Sequence, residues 1–111
     1  MPEPLKHILD RFTSGWLKTV DVGPGWHWIV IDLDRDIAKL HPDYKIHCIK
    51  EKFGGLRFYC ECEAEPEVEK LIAVAALTAA VTCEQCGREG KLRTGGWIKT
   101  LCDECFTPGI R

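Results

Sequence analysis

Four cysteines stand in two matched pairs, Cys83-Glu84-Gln85-Cys86 and Cys102-Asp103-Glu104-Cys105, with fifteen residues between the pairs. Two residues between cysteines let one tight turn present both sulfurs to one ion, and two such turns complete the tetrahedron that zinc prefers. Gly87, directly after the second cysteine, suits a backbone with positive φ that leaves amides free to point at sulfur. The expected site is one Zn2+ held by Cys83, Cys86, Cys102 and Cys105. Four thiolates close the coordination shell, whereas a catalytic zinc keeps a position for water, so the expected role is structural. Redox dithiols and unrelated buried cysteines are the alternatives, and two pairs at this spacing argue against both.

Enzymes with similar cysteine frames can be weighed against the same residues. Zinc deaminases place a His-x-Glu ahead of Pro-Cys-x-x-Cys; here no His-x-Glu exists and Thr82 precedes Cys83. HNH nucleases set histidines between Cys-x-x-Cys-Gly and a later Leu-Cys-x-x-Cys. The frame from Cys83 to Gly87 and from Leu101 to Cys105 resembles theirs, but His7, His27, His41 and His47 all precede it. Without those histidines there is no general base, and the expectation is a protein that is not an enzyme. Cys48, Cys60 and Cys62 beside His47 invite a second metal site; the plainer reading is three reduced thiols acting as small hydrophobes. Asp32, Asp34 and Asp36, two apart, cannot share a helix face and read as a solvated edge.

The elements that position these groups follow from periodicity. Leu5, Ile8, Leu9, Phe12 and Trp16 give one apolar helix face over 4–16. Ile29, Val30, Leu33, Ile37 and Leu40 predict a helix from about Trp26 to Leu40, ended by His41-Pro42. The period then drops to two on either side of Phe53-Gly54-Gly55, which predicts a β-hairpin. A three-residue loop at 53–55 pairs Lys52 with Leu56, Lys50 with Phe58, Cys48 with Cys60 and Glu51 with Arg57. Its charge and apolar matches favour it over a Gly-Gly loop that would oppose Glu51 with Phe58. Pro66, among glutamates that suit a helix N-terminus, opens a third helix whose buried face is Val68, Leu71, Ile72, Ala75 and Ala79. Lys91–Thr94 and Trp97–Leu101 flank Gly95-Gly96 as a short hairpin between the two cysteine turns, the arrangement of a zinc ribbon. The expected fold class is α+β: residues 1–82 form a core of helices packed on a β-hairpin, and 83–111 form the ribbon module. The ribbon is too small to fold by burial alone, so metal supplies its folding energy.

The chain has 111 residues, a net charge of −2, 45 % hydrophobic and 29 % charged residues. That is the composition of a small globule, with none of the overall basic field of a typical nucleic-acid binder. The longest weakly polar stretch, 71–81, is far short of the roughly 20 residues that span a bilayer, so no membrane is expected. Met1-Pro2-Glu3-Pro4 has neither the basic nor the apolar region of a signal peptide, and an odd cysteine count speaks against a disulfide framework; a cytoplasmic location is expected. Two surfaces remain as binding candidates. One is the ribbon tip, with Trp97 as an anchor and Arg93 and Lys99 as its polar rim; the competing reading packs Trp97 on the third helix. The other is the basic hairpin, Lys50, Lys52 and Arg57 with Tyr44, Phe53 and Tyr59 nearby, which would suit nucleic acid.

Three segments together resemble a family of small uncharacterised proteins of bacteria and their phages. They are Lys50-Glu51-Lys52-Phe53-Gly54-Gly55-Leu56-Arg57-Phe58-Tyr59, then Cys83-Glu84-x-Cys86-Gly87, then Gly96-Trp97-Ile98-x-Thr100-Leu101-Cys102. The resemblance spans about 23–105 and implies a cytoplasmic, phage-borne zinc-binding protein with no activity attached. In that setting small proteins often act by binding a larger host protein. The expected function is therefore a protein-interaction module that inhibits or adapts a host machine, including host defence, with a protein as partner. A nucleic-acid-binding regulator is the alternative.

Overall fold

The computed structural model describes residues 3–13 and 18–106. Trp16 and the chain after Phe106 lie outside them. Helix α1 (Glu3–Asp10) buries Leu5 and Ile8 and ends sooner than its apolar spacing predicts. The chain leaves the helix because the backbone of Ile46 offers it hydrogen bonds: Ile46 N–H donates to Arg11 O (2.9 Å) and Thr13 N–H to Ile46 O (3.0 Å). A two-residue strand β1 (Val20–Asp21) follows, then a 3-10 turn at Pro24–Trp26 that runs directly into α2 (His27–Leu40). Ile29, Val30, Leu33 and Ile37 form the buried stripe of α2, and His41 ends it ahead of Pro42, as the spacing predicts.

Strands β2 (Ile46–Lys52) and β3 (Gly55–Cys60) form the hairpin, and β1 adds to β2 in parallel, giving a three-stranded sheet. The register corrects the sequence-based one. Lys52 pairs with Gly55, Lys50 with Arg57, Ile49 with Phe58 and Cys48 with Tyr59, around a two-residue Phe53-Gly54 turn. Both turn residues have positive φ, 53° and 81°, the geometry that matches the twist of a two-residue hairpin. A bulge between Ile46 and Cys48 then moves Ile46 opposite Cys60. Its effect is to turn Ile46 and Ile49, three residues apart, into the same core with Leu56, Phe58 and Cys60. Burial of these large side chains outweighs the cross-strand Glu51–Arg57 pair on which the expected register relied. Cys48 is consequently not opposite Cys60.

Helix α3 (Pro66–Ala80) begins at the predicted proline and packs Val68, Ala75 and Ala79 inward against α2 and β3. Trp26 is fully buried, and its indole N–H donates to Thr82 O at 2.8 Å. Asp34 is not part of a solvated edge. It is buried, accepting from Arg11 Nε (2.7 Å) and from the Tyr44 hydroxyl (2.5 Å), and so ties α1, α2 and the entry to β2 together. Burial first, and the Asp34 carboxylate second, push the Tyr44 phenol far above its ordinary value. Asp32 and Asp36 do lie at the surface, beside Arg35 and Lys39. The chain ends, within the described residues, in the hairpin of β4 (Lys91–Arg93) and β5 (Lys99–Leu101) between two cysteine turns. Among the described residues no helix is long and apolar enough to cross a membrane.

Candidate metal centre and hairpin tips

Cys83, Cys86, Cys102 and Cys105 converge so that all four sulfurs lie within 4.8 Å of one another. Thiolates at about 2.3 Å from a tetrahedral zinc are about 3.8 Å apart, so the cluster fits that ion after small adjustments. Cys86 Sγ and Cys102 Sγ are already 3.5 Å apart. Each turn is built by the backbone: Gly87 N–H donates to Cys83 O (2.9 Å) and Phe106 N–H to Cys102 O (3.0 Å). Gly87 takes φ 85°, as its place after the second cysteine predicts. The electrostatics are those of a metal site. Burial opposes ionisation of Cys83, but the amides of Cys102, Cys86 and Gln85 outweigh it and hold the thiol down to about 6. Cys105 is pushed up to about 12, chiefly by its hydrogen bond with Cys102. Sulfurs this close cannot all ionise alone, and a divalent cation removes that repulsion. The cluster is positioned to chelate a metal ion as a structural Zn2+ site does.

The ribbon is joined to the body by a polar seam. Gly25 N–H donates to Glu84 O (2.7 Å) and Gly23 N–H to Glu84 Oε2 (2.8 Å), while within the ribbon Glu84 N–H donates to Thr100 O (3.0 Å). Lys99 Nζ reaches both Glu51 (3.1 Å) and Glu84 (3.4 Å), and the buried Thr100 hydroxyl donates to Gly54 O at 2.7 Å. Glu84, inside the first cysteine turn, is thus a buried strut that its sequence context does not reveal.

These links bring two hairpin tips together. Trp97 is 63 % exposed and does not pack on α3; with Phe53, Gly96 and Ile98 it lines a cleft of about 260 Å³. Phe53, 67 % exposed, is one of the aromatics expected beside the basic hairpin; what the sequence did not show is that it meets Trp97, because the two turns lie far apart in the chain. Lys99 stands over the Trp97 ring at 5.3 Å and Lys52 over the Phe53 ring at 5.7 Å. Arg93 turns away from the tip. It donates to Leu101 O and Asp103, and stacks on Phe106 at 4.5 Å. Lys50 and Arg57 are cross-strand neighbours on the sheet, with Arg57 exposed.

Cys60 and Cys62 lie 3.8 Å apart in the core, with burial raising both thiols, Cys60 to about 12. Cys48 faces elsewhere, beside Tyr59. Among the described residues, the metal-competent cluster is the four-cysteine one. No protein-family model, curated protein or solved structure matches the chain.

Proposed function

We propose that this chain is a non-enzymatic, zinc-stabilised protein-interaction module that binds through its paired hairpin tips. The observation that carries this reading is the Phe53–Trp97 cleft. Phe53 holds φ 53° in a turn where glycine or asparagine sits without strain, at a cost of about 1 kcal/mol. A bulky aromatic kept there, in water and beside a second exposed aromatic, suits an anchor for a partner. Lys52 borders the cleft beside Phe53, whereas Lys99 is already held by Glu51 and Glu84, so the partner surface it fits is an apolar side chain next to a carboxylate. The closed four-cysteine shell serves to hold the second tip in place. The finer reading, a phage-borne cytoplasmic inhibitor or adaptor of a host machine, is supported by the sequence resemblance.

A second reading has its own observation. Lys50 and Arg57 side by side, with the half-exposed Tyr59 next along the strand, would neutralise and stack on nucleic acid. Affinity capture from a bacterial lysate, with and without nuclease, separates the two. A protein partner should be retained by the parent chain after nuclease treatment and lost with Trp97→Ala and with Phe53→Gly. Trp97→Ala should leave the melting temperature nearly unchanged, and Phe53→Gly should raise it slightly by relieving the turn. Capture that disappears with nuclease and falls steeply with salt would establish the nucleic-acid reading instead.

A further inference from the structure

The outer face of the three-stranded sheet carries an unbalanced charge. Ile49, Leu56 and Phe58 turn into the core, so alternation leaves Lys50 and Lys52 of β2 and Arg57 of β3 on the opposite side. Lys50 and Arg57 are register partners, and Lys52 stands two residues nearer the turn, its ammonium over the Phe53 ring. Among the described residues none of these three cations is held in an ion pair. Glu51 does not serve them, because it accepts from Lys99 and from Gly54 N–H on the other side. Asp21, exposed and in register with Lys50 on β1, offsets one of the three. The run is also short. Past Arg57 come half-exposed Tyr59 and then Glu61, which accepts from Lys45 N–H at 3.2 Å, with Glu63 and Glu65 exposed behind it. At its other end the run opens on the Phe53–Trp97 cleft, where half-exposed Leu92 lies against Gly54 and residues 94–98 carry no charge.

We infer that the partner enters as an extended acidic peptide segment. An apolar side chain fills the Phe53–Trp97 cleft, and carboxylates at alternate positions lie over Lys52 and then over Lys50 and Arg57. This rests on the reading of the tips as a protein-binding site and adds the chemistry of what they bind. The spacing of the cations selects the form of the segment. Lys52 and Lys50 are two strand residues apart, about 7 Å, and alternate side chains of an extended peptide repeat at the same interval. The charges are available as well: cations with no partner inside the protein exchange only water for an arriving carboxylate, whereas Lys99 would have to leave Glu51 and Glu84. The same face bounds the length of the ligand. A nucleic-acid strand brings a phosphate with every nucleotide and needs a basic track that continues. Here the track would run from Arg57 onto Glu61 and the glutamates behind it. Two or three carboxylates fill the run and stop short of them.

Heteronuclear NMR titration of the zinc-loaded chain, in reductant, with acetyl-Phe-Ser-Asp-Ser-Asp-amide and its reversed-order counterpart tests this. The tighter of the two should shift the Trp97 indole N–H and the amides of Phe53, Lys52, Lys50 and Arg57. It should bind about fivefold tighter than the same peptide with Asn for Asp, the scale of two or three exposed ion pairs, and the gap should narrow in high salt. Placing the two acids side by side should forfeit part of the gain, since neighbouring side chains of an extended chain point to opposite sides. Lys50→Gln combined with Arg57→Gln should remove most of the gap and keep the Trp97 shift. Should that pair unfold the sheet, Lys52→Gln at the exposed turn makes the same comparison with one change. Equal affinity for the acid and amide peptides, both shifting Phe53 and Trp97, would overturn the acidic segment and leave the cleft as an anchor site. Peptides that shift nothing at Lys50, Lys52 and Arg57 would overturn it too, while the anchor reading is decided separately by capture with Trp97→Ala. Octathymidylate that shifts these amides at lower concentration than the acidic peptide would assign the face to nucleic acid instead.

Discussion

The body and the ribbon cohere by different means. The body buries Leu5, Ile8, Trp26, Ile37, Ile46, Phe58 and their neighbours in one continuous core, so its stability comes from apolar area removed from water. Among the described residues, the apolar cluster of the ribbon is Cys83, Leu101 and Cys102, with Cys105 and Phe106 partly covered. That is too little to offset the entropy of ordering the segment, and ligation must make up the difference. Between them runs a seam of hydrogen bonds and one lysine. The two parts are thereby separable in folding: ligation would order the tip that carries Trp97 without being needed for the helices behind it.

The sharpest way to break this contrast is to remove one ligand. Cys102→Ser should abolish stoichiometric zinc binding and disorder the ribbon, because structural zinc contributes on the order of 10 kcal/mol to such segments. Far-ultraviolet circular dichroism should still show most of the helical signal of α2 and α3. Full metal content in this variant would refute the site. The next largest effect belongs to the seam. A methyl group on Gly25 would press on Cys83 O and come within 2.5 Å of Gly87 N and 2.7 Å of Glu84 O. All three are backbone atoms that cannot swing aside. Gly25→Ala should therefore cost about 3 kcal/mol in urea denaturation, and should weaken zinc binding as well because it displaces the first cysteine turn. Stability lost with zinc affinity unchanged would mean that the two regions are less tightly joined than the seam suggests.

What was legible in the sequence follows the same division. Ligand chemistry imposes a spacing, so Cys83, Cys86, Cys102, Cys105 and even the left-handed Gly87 could be read directly. The helices could be read too, since Ile29, Val30, Leu33 and Ile37 repeat at helical period. The hairpin register could not. Cys48 is small and apolar enough to pass for a core residue, which hid the bulge that brings Ile46 and Ile49 to one face. β1 is two residues long and leaves no periodic trace. The Arg11–Asp34–Tyr44 cluster and the Gly25–Glu84 seam join residues far apart in the chain, the seam partly through backbone atoms, and residue type does not announce either.

That cluster offers a test confined to the body. Tyr44→Phe deletes the hydrogen bond to Asp34 and leaves a buried carboxylate with one partner fewer. Such a bond to a charged acceptor is worth about 1.5 kcal/mol, which urea denaturation resolves. Zinc affinity should not move, because Tyr44 lies outside the seam. A parallel loss of zinc binding would show that the body and ribbon fold as one unit.

The smallest expected effect concerns Lys99, the side chain that bridges the two regions. Burial of its ammonium works against the charge, but the carboxylates of Glu51 and Glu84 outweigh that and raise its pKa above the ordinary 10.5. A group whose pKa rises on folding stabilises the fold fully below its unfolded value and loses that contribution as pH climbs through the folded value. Lys99→Met should thus cost about 1 kcal/mol at neutral pH, a partly screened pair's worth. The gap between parent and variant should then close as pH rises beyond 10.5, where the parent lysine gives up its proton. Comparing the two proteins at each pH cancels the thiols and phenols that titrate in both. A gap that stays constant into strong alkali would mean that Lys99 holds the seam by packing its aliphatic stem and not by the charge it presents to Glu51, Glu84 and the Trp97 ring.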